Sequence, residues 1–433
     1  MALGGGVWVT QNKKLPGAYI NFVSADRASA MLADRGVCAV PMSLSWGKEG
    51  EVFLVENTEF IRDSKSIFGY EYTHEKLKGI REVFKNAQKL YVYRLNAGVK
   101  ATCDYATAKF SGVRGNDLKI AIIANVDVSG MFDVKTLLGT EVVDVQTVAA
   151  ASELVSNDFV DFNTEATLQI TASTPLVGGT DGETVTASNW QTALAKLESV
   201  AFNVLGIVTT YDEIKALAVA YTKRLRDEQG VKFQTVVHQY EEANDKGVIS
   251  VENTLPDLSA DLVYWVAGAQ AGCTVNKSCT NKIYDGELTI NVDYTQTQLE
   301  QCIDKGKFVF HKVGEDIRVL TDINTKTTVS VEEGEDFKSN QTVRVLDQIG
   351  NDIAALFNTR YLGIIPNDEQ GRISFWNDVV RHHEELQNIR AIEEFSSEDV
   401  AVSQGATKKD VVVDSHVKPT NAMERLYMTT VVG

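Results

Sequence analysis

The chain of 433 residues lacks most of what usually announces chemistry. Its five cysteines (Cys38, Cys103, Cys273, Cys279 and Cys302) are scattered and odd in number, and no CxxC occurs. That argues against a disulfide framework and against a thiolate zinc site. They are expected to be small apolar residues of a protein kept in a reducing compartment. No apolar run reaches the length of a membrane helix, and the start, MALGGGVWVTQNKK, lacks the basic-then-apolar order of a signal peptide. Synthesis in a cytoplasm without direct membrane insertion is the expectation. Basic charge is in deficit, 42 Lys and Arg against 59 Asp and Glu, for a net −17. Nucleic acid is therefore not expected as a partner.

Catalytic motifs are missing too. Neither GxSxG nor GxxxxGK[ST] is present, and Gly4 to Gly6 follow no strand that would make them a phosphate cradle. His383-Glu384 begins like a zincin helix, but Gln387 stands where the second histidine is needed. Adjacent His382 and His383 would point about 100° apart on a helix, so they are expected to be solvated or interfacial. No catalytic residue, metal site or cofactor is expected.

What is present is organisation. Residues 1–100 carry a charge of +4 and residues 101–433 carry −21. The split reads either as a solvated acidic surface or as complementary patches on a self-assembling subunit. Helix and strand periodicities alternate along most of the chain. Leu77, Ile80, Phe84 and Ala87 fall on one helical face after Thr73, and Leu90 to Tyr93 follow as a strand. The rhythm resumes with helices at Trp190–Leu197 and from Asp212 to Gly230, and strands at Val204–Val208, Val236-Val237 and Val248–Val251. A helix capped by Ser259, another ending at Gly306, and strands Lys307–His311 and Ile317–Leu320 complete it. This pattern predicts a mostly parallel sheet covered by helices.

Residues 99–180 interrupt it with strands expected at 118–125, 141–148 and 166–171. Two helices follow Thr342, one on Val345, Ile349, Ile353 and Leu356, the other on Phe375, Val379, Leu386 and Ile389. Ser403–Ala406 reads as a hinge before a strand at Val411–Val413. The domains are expected at 26–98 with 181–341 (central α/β), 99–180 (inserted, β-rich) and 342–410 (C-terminal), between an arm at 1–25 and a terminal strand and arm at 411–433.

Both ends look extended. Leu15, Ala18, Tyr19, Ile20, Phe22 and Val23 belong to an alternating segment behind a glycine-rich start. At the other end Leu426, Met428, Thr430 and Val432 would line one strand face and Tyr427, Thr429 and Val431 the other, with Arg425 at the base. Such an edge is either buried within its own subunit or meant for a neighbour.

In order, LPGAYINF (15–22), GVCAVPMSLSWGKEG (36–50), LYVYRLNAG (90–98), SGVRGNDLKIAI (111–122), YWVAGAQAG (264–272), VNKSCTNKIYDG (275–286), DINT (322–325), NDEQGR (367–372) and AMERLYMTTVV (422–432) resemble segments of the contractile tail sheath proteins of tailed bacteriophages and phage-tail-like bacteriocins. The resemblance spans nearly the whole chain. It implies a multidomain α/β protein: a central sheet domain of subtilisin-like fold without its catalysis, an inserted β-sandwich, a C-terminal α+β domain, and N- and C-terminal arms. It further implies six-fold rings stacked around an inner tube, arms donated between subunits, and contraction that drives the tube through an envelope. The implied partners are the chain itself, the inner tail tube protein, and baseplate and tail terminator proteins. The implied place is a virion tail or phage-tail-like particle. The family holds its tube with part of the C-terminal domain, which here points to Arg372, Arg381 and Arg390 near the helix at 375–392. From the domain pattern alone, the rival reading is an α/β hydrolase with a β insertion; within the resemblance it is the sheath of a related non-phage injection system.

Overall fold

The computed structural model describes residues 32 and 34–432, so the arm expected at Leu15–Val23 lies outside the described residues. The chain divides into two units: a larger one of Ala33–Asn351, Gln387–Glu394 and Lys418–Gly433, and a smaller one that includes Asp352–Leu386 and Phe395–Val417.

The larger unit is built on seven strands in the order Lys307–Phe308, Val248–Val251, Gln234–His238, Val204–Gly206, Val37–Met42, Lys89–Arg94 and Val52–Glu56. All neighbours are parallel except the last pair. Strands buried on both faces need apolar residues at consecutive positions, which is why Cys38, Ala39 and Val40 are all fully buried. Side chains alternate between two layers. Cys38, Val40, Leu90 and Val92 pack with residues of helices Asn57–Phe68, Lys78–Phe84 and Leu262–Gly272. Ala39, Leu205 and Val237 pack with those of Ala187–Leu197 and Asp212–Lys223. The sheet thus grows outward in both directions from Val37–Met42, in the doubly wound manner.

The connection from Lys89–Arg94 to Val204–Gly206 carries the β-rich insertion. Four antiparallel strands, in the order Glu141–Val148, Phe132–Leu138, Leu118–Ala124 and Thr171–Pro175, share a core with the short ladder Ala106–Ala108/Val160–Phe162. Trp46 of the central part is buried in that core. Two strand expectations change. Residues 166–170 form no strand; the partner of Leu118–Ala124 is Thr171–Pro175, whose register runs from Ile122↔Thr171 to Lys119↔Pro175. Phe132–Leu138 was not anticipated, although Val134, Thr136 and Leu138 alternate inward. Ser259 caps nothing: the helix begins at Leu262 after Asp261, and the Ser259 hydroxyl has no partner among the described residues.

The insertion is joined through polar groups and glycines. Buried Arg94 donates to the carbonyls of Gly47 and Ser111, both at 3.0 Å, and Asn96 donates to those of Leu44 and Asp181. Gly182 has φ +81°, and a Cβ there would lie 1.7 Å from the Ala97 carbonyl oxygen. Both the backbone and the space require glycine. Gly182→Ala is expected to cost well over ~1 kcal/mol in urea unfolding, whereas Gly314→Ala, also at positive φ but in open space, should show only the backbone part.

In the smaller unit, Phe375 of the helix Glu369–Asn388 packs on Phe357 and Tyr361, with ring centroids 5.5 and 4.7 Å away. The expected hinge at Ser403–Ala406 is the end of a β-hairpin, Val400–Gln404 with Val411–Ser415, where Gly405 N–H donates to the Asp410 carbonyl at 2.8 Å. The helix stops at Asn388, so Ile389 is not on its buried face and is 37% exposed.

Candidate functional site: the root of the C-terminal segment

The last part of the chain is first tied down and then released. Lys418-Pro419 pairs with Ile392-Glu393, and Thr420 N–H donates to the Ala391 carbonyl at 2.9 Å. The Asn421 side-chain oxygen accepts from Ser339 Oγ at 2.7 Å, and Ala422 N–H donates to Gln341 Oε1 at 3.0 Å. Glu424 is the final anchor: its carboxylate accepts from Thr280 Oγ1 at 2.6 Å and from Thr321 Oγ1 at 3.0 Å. Beyond it, Arg425 to Val432 are exposed and make no backbone hydrogen bond among the described residues. The expected terminal strand is therefore not a strand here, because an extended segment becomes one only by pairing. The apolar pattern is nevertheless bare: Leu426, Tyr427, Val431 and Val432 are each 87% or more exposed.

Under the anchor lies a buried polar hub. Asp322, 2% exposed, accepts from Gln270 Nε2 at 2.6 Å, from Asn340 Nδ2 and the Cys279 N–H at 2.9 Å, and from the fully buried Arg344 at 3.1 Å. Arg344 also donates to Gln270 Oε1 and to the Lys277 carbonyl, both at 2.7 Å. Burial pushes the Asp322 carboxyl upward, but Arg344 and the N–H donors outweigh it and hold the group below the usual carboxylate range. The Asp322 N–H donates to Thr280 Oγ1 at 2.9 Å, which links hub to anchor. Sequence reasoning missed this cluster. One signal was available: Gln270 is a polar residue inside the apolar helix LVYWVAGAQAG.

Other expected positions do not converge. Arg372 donates to the Asn367 carbonyl, and Arg381 pairs with Asp378 at 2.7 Å. Nine residues apart on one helix, they point about 180° from each other, so a single helix face does not present both. Arg390 lies past the helix end at φ +63°. His382 and His383 are neither solvated nor interfacial within the described chain: both are fully buried. His382 Nε2 bonds Asp352 at 2.9 Å, the two Nδ1 atoms are 3.2 Å apart, and His383 Nε2 bonds Ser415 Oγ at 2.8 Å. With Asp352 accepting, His382 Nδ1 accepts from His383, and His383 Nε2 accepts from the serine.

Burial, then the neighbouring His382, holds the His383 imidazole down at about 4. Between about 6.5 and 4 the unfolded chain binds a proton here that the folded chain refuses. Stability should therefore fall as pH drops through that window, by ~3 kcal/mol in all. Urea midpoints at pH 7.5, 5.5 and 4.5 check this, and His383→Gln should flatten the slope.

Where α/β proteins place ligands, at the carboxyl ends of the central strands, there is a crevice of about 880 Å³ lined by Trp190, Tyr211, Asp212, Asp261 and Tyr264 among others. No described histidine or cysteine lines it. Among the described residues no group of three or more His, Cys, Asp or Glu is placed to hold a metal, and no helix is long and apolar enough to cross a membrane.

Four family models match the chain from residue 35 onward: the tail sheath protein Gp18 domain III N-terminal region at 35–95, the phage tail sheath protein beta-sandwich domain at 96–181, its central domain at 183–325 and the phage tail sheath C-terminal domain at 332–433. The phage-like element PBSX protein XkdK of Bacillus subtilis is 33% identical over the whole of both chains. The crystal structure of a sheath tail protein from Desulfitobacterium hafniense superposes with a TM-score of 0.81 at 36% identity, covering 93% of this chain and 96% of that one. A sheath tail protein from Listeria innocua gives 0.79 at 33%, covering 92% and 95%. The contracted helical sheath of the anti-feeding prophage shares the fold alone, with a TM-score of 0.60 at 12% identity over 97% and 99% of the two chains.

The fold is thus a mixed α/β, multidomain fold of the sheath type. The chain belongs to the phage tail sheath protein family.

Proposed function

We propose that the chain is the structural subunit of a contractile tail sheath, stacking as six-fold rings around an inner tail tube and contracting to drive that tube through a target envelope. The carrying observation is the terminal segment: anchored at Glu424 and then unpaired, with apolar side chains bare on both faces. Strand addition to a neighbouring copy uses such a segment, with backbone hydrogen bonds for affinity and alternate side chains for register. Leu15–Val23 is assigned the matching role at the other end. The head-to-tail contact propagates as a filament rather than closing as a dimer. The +4/−21 charge split would set register between bodies.

The chain acts without catalysis: the central sheet domain is taken as subtilisin-like in arrangement only, since fold does not carry activity. Its partners are copies of itself, the inner tail tube protein (through Arg372, Arg381 or Arg390), and baseplate and terminator proteins, without nucleic acid or membrane insertion. The particle is a phage tail or phage-tail-like device assembled in the bacterial cytoplasm. Negative-stain imaging of the purified chain tests this reading. Tubes of uniform width are expected, and dispersed single molecules at every concentration and salt level would overturn it.

A further inference from the structure

Two of the five thiols, with five residues between them, meet beside the root of the C-terminal segment. The Cys273 N–H donates to the Ala269 carbonyl at 3.0 Å, and the Cys279 sulfur lies 3.7 Å from that same oxygen. The two residues thus share one carbonyl oxygen. The Cys273 sulfur is also 3.4 Å from the Lys277 carbonyl oxygen, to which Arg344 donates. Arg35 completes the surroundings, its Nε donating to the Cys273 carbonyl at 3.0 Å. Cys273 is half-buried among the described residues, while Cys279 is fully buried behind it. This is the layout of an attacking thiol with a resolving thiol at its back.

The remaining thiols differ. Burial pushes the Cys38, Cys103 and Cys302 thiols up. The neighbouring Cys279 thiol, followed by the positive charges of Arg344 and Arg35, holds Cys273 down at about 7 despite its burial. Cys279 goes the other way, raised first by the neighbouring Cys273 thiol and then by burial.

We propose that Cys273 and Cys279 form a redox-modification site, closed to an intrachain disulfide by a low-molecular-weight disulfide such as oxidised glutathione. In the first step the Cys273 thiolate attacks one sulfur of the reagent. A Cys273–glutathione bond forms, the reagent's S–S bond breaks and one glutathione thiolate leaves. Cys279 then attacks the Cys273 sulfur and expels the second glutathione thiolate, which takes up the Cys279 proton. The two cysteines lose two electrons in total, and the reagent gains them as two thiols. In a compartment rich in reduced thiols the site stays open; once the protein leaves it, the site closes.

Closure staples the turn that supplies the Cys279 N–H to Asp322 and, one residue on, the Thr280 hydroxyl to Glu424. The site itself stands on the thiol geometry and does not depend on the assembly reading.

The full-length chain is reduced, freed of reductant, exposed to oxidised glutathione, alkylated and mapped by mass spectrometry. Loss of two of the five thiols, with a cross-link between the Cys273 and Cys279 peptides, is expected. Cys279→Ser should stop at a glutathione adduct on Cys273, and Cys273→Ser should keep its four thiols. Retention of all five thiols by the natural chain overturns the proposal, as does an adduct at Cys103 or Cys302 in place of Cys273. The mapping of the unsubstituted chain decides the matter even if a variant fails to fold.

Discussion

A chain ending at Glu424 should unfold at the same denaturant concentration as the full-length protein and should form no tubes. The first half follows from exposure. Leu426, Tyr427, Val431 and Val432 are almost fully in solvent, and no described backbone partner holds the segment. Removing groups that bury nothing changes stability by no more than ~0.5 kcal/mol. The second half follows from what strand addition is worth. Losing even ~4 backbone bonds at ~1 kcal/mol each weakens association about a thousandfold. Repeated at every contact of a filament, that loss prevents assembly. Met428→Pro offers a subtler form of the same experiment, because it removes one ladder N–H without shortening the chain. Tube counts by negative stain beside urea midpoints read both halves. Normal polymerisation of the shortened chain would remove Arg425–Val432 from the interface.

The central sheet was legible because strands buried on both faces and the helices over them write strong periodic signals. Val248–Val251 and the helix beginning at Asp212 stand where their patterns put them. Pairing is what a pattern does not carry. The terminal segment alternates like a strand but has no described partner, so it remains unpaired and exposed. Gly405 looked like a hinge because glycine permits both a hinge and a hairpin end; the Asp410 carbonyl across from it decides.

The histidine pair was misplaced for a related reason. A helix wheel separates His382 from His383 but says nothing of Asp352 and Ser415, which satisfy the two rings in the interior. The hub under Glu424 was hidden by distance along the chain. Gln270, Thr280, Asp322 and Glu424 lie in four separate segments that carried the family resemblance, and only the fold brings them together. Those segments share their place at the root of the C-terminal segment, which gives a physical reason for polar residues such as Gln270 in otherwise apolar runs.

The hub carries the largest stability effect. Asp322→Ala should lower unfolding free energy by ~3–5 kcal/mol, because it leaves the fully buried Arg344 without its carboxylate and takes an acceptor from Gln270 Nε2, Asn340 Nδ2 and the Cys279 N–H. Asp322→Asn should cost less, since its side-chain oxygen still accepts from the donors on one side, although its NH2 faces donors on the other and the charge is lost. Asp322→Leu combined with Arg344→Met should recover part of the loss, because removing both charges leaves no ion uncompensated. Thr321→Val acts one layer further out. It removes one hydroxyl that holds the exposed Glu424 and touches no hub donor, so it should leave the urea midpoint close to the parent while loosening residues 421–425. Faster amide exchange there, with the core unchanged, is the expected result. Equal destabilisation by the inner and outer substitutions would mean that anchor and hub are one cooperative element. A large loss from Asp322→Ala alone would make the hub a fixed base on which a separately mobile segment is mounted.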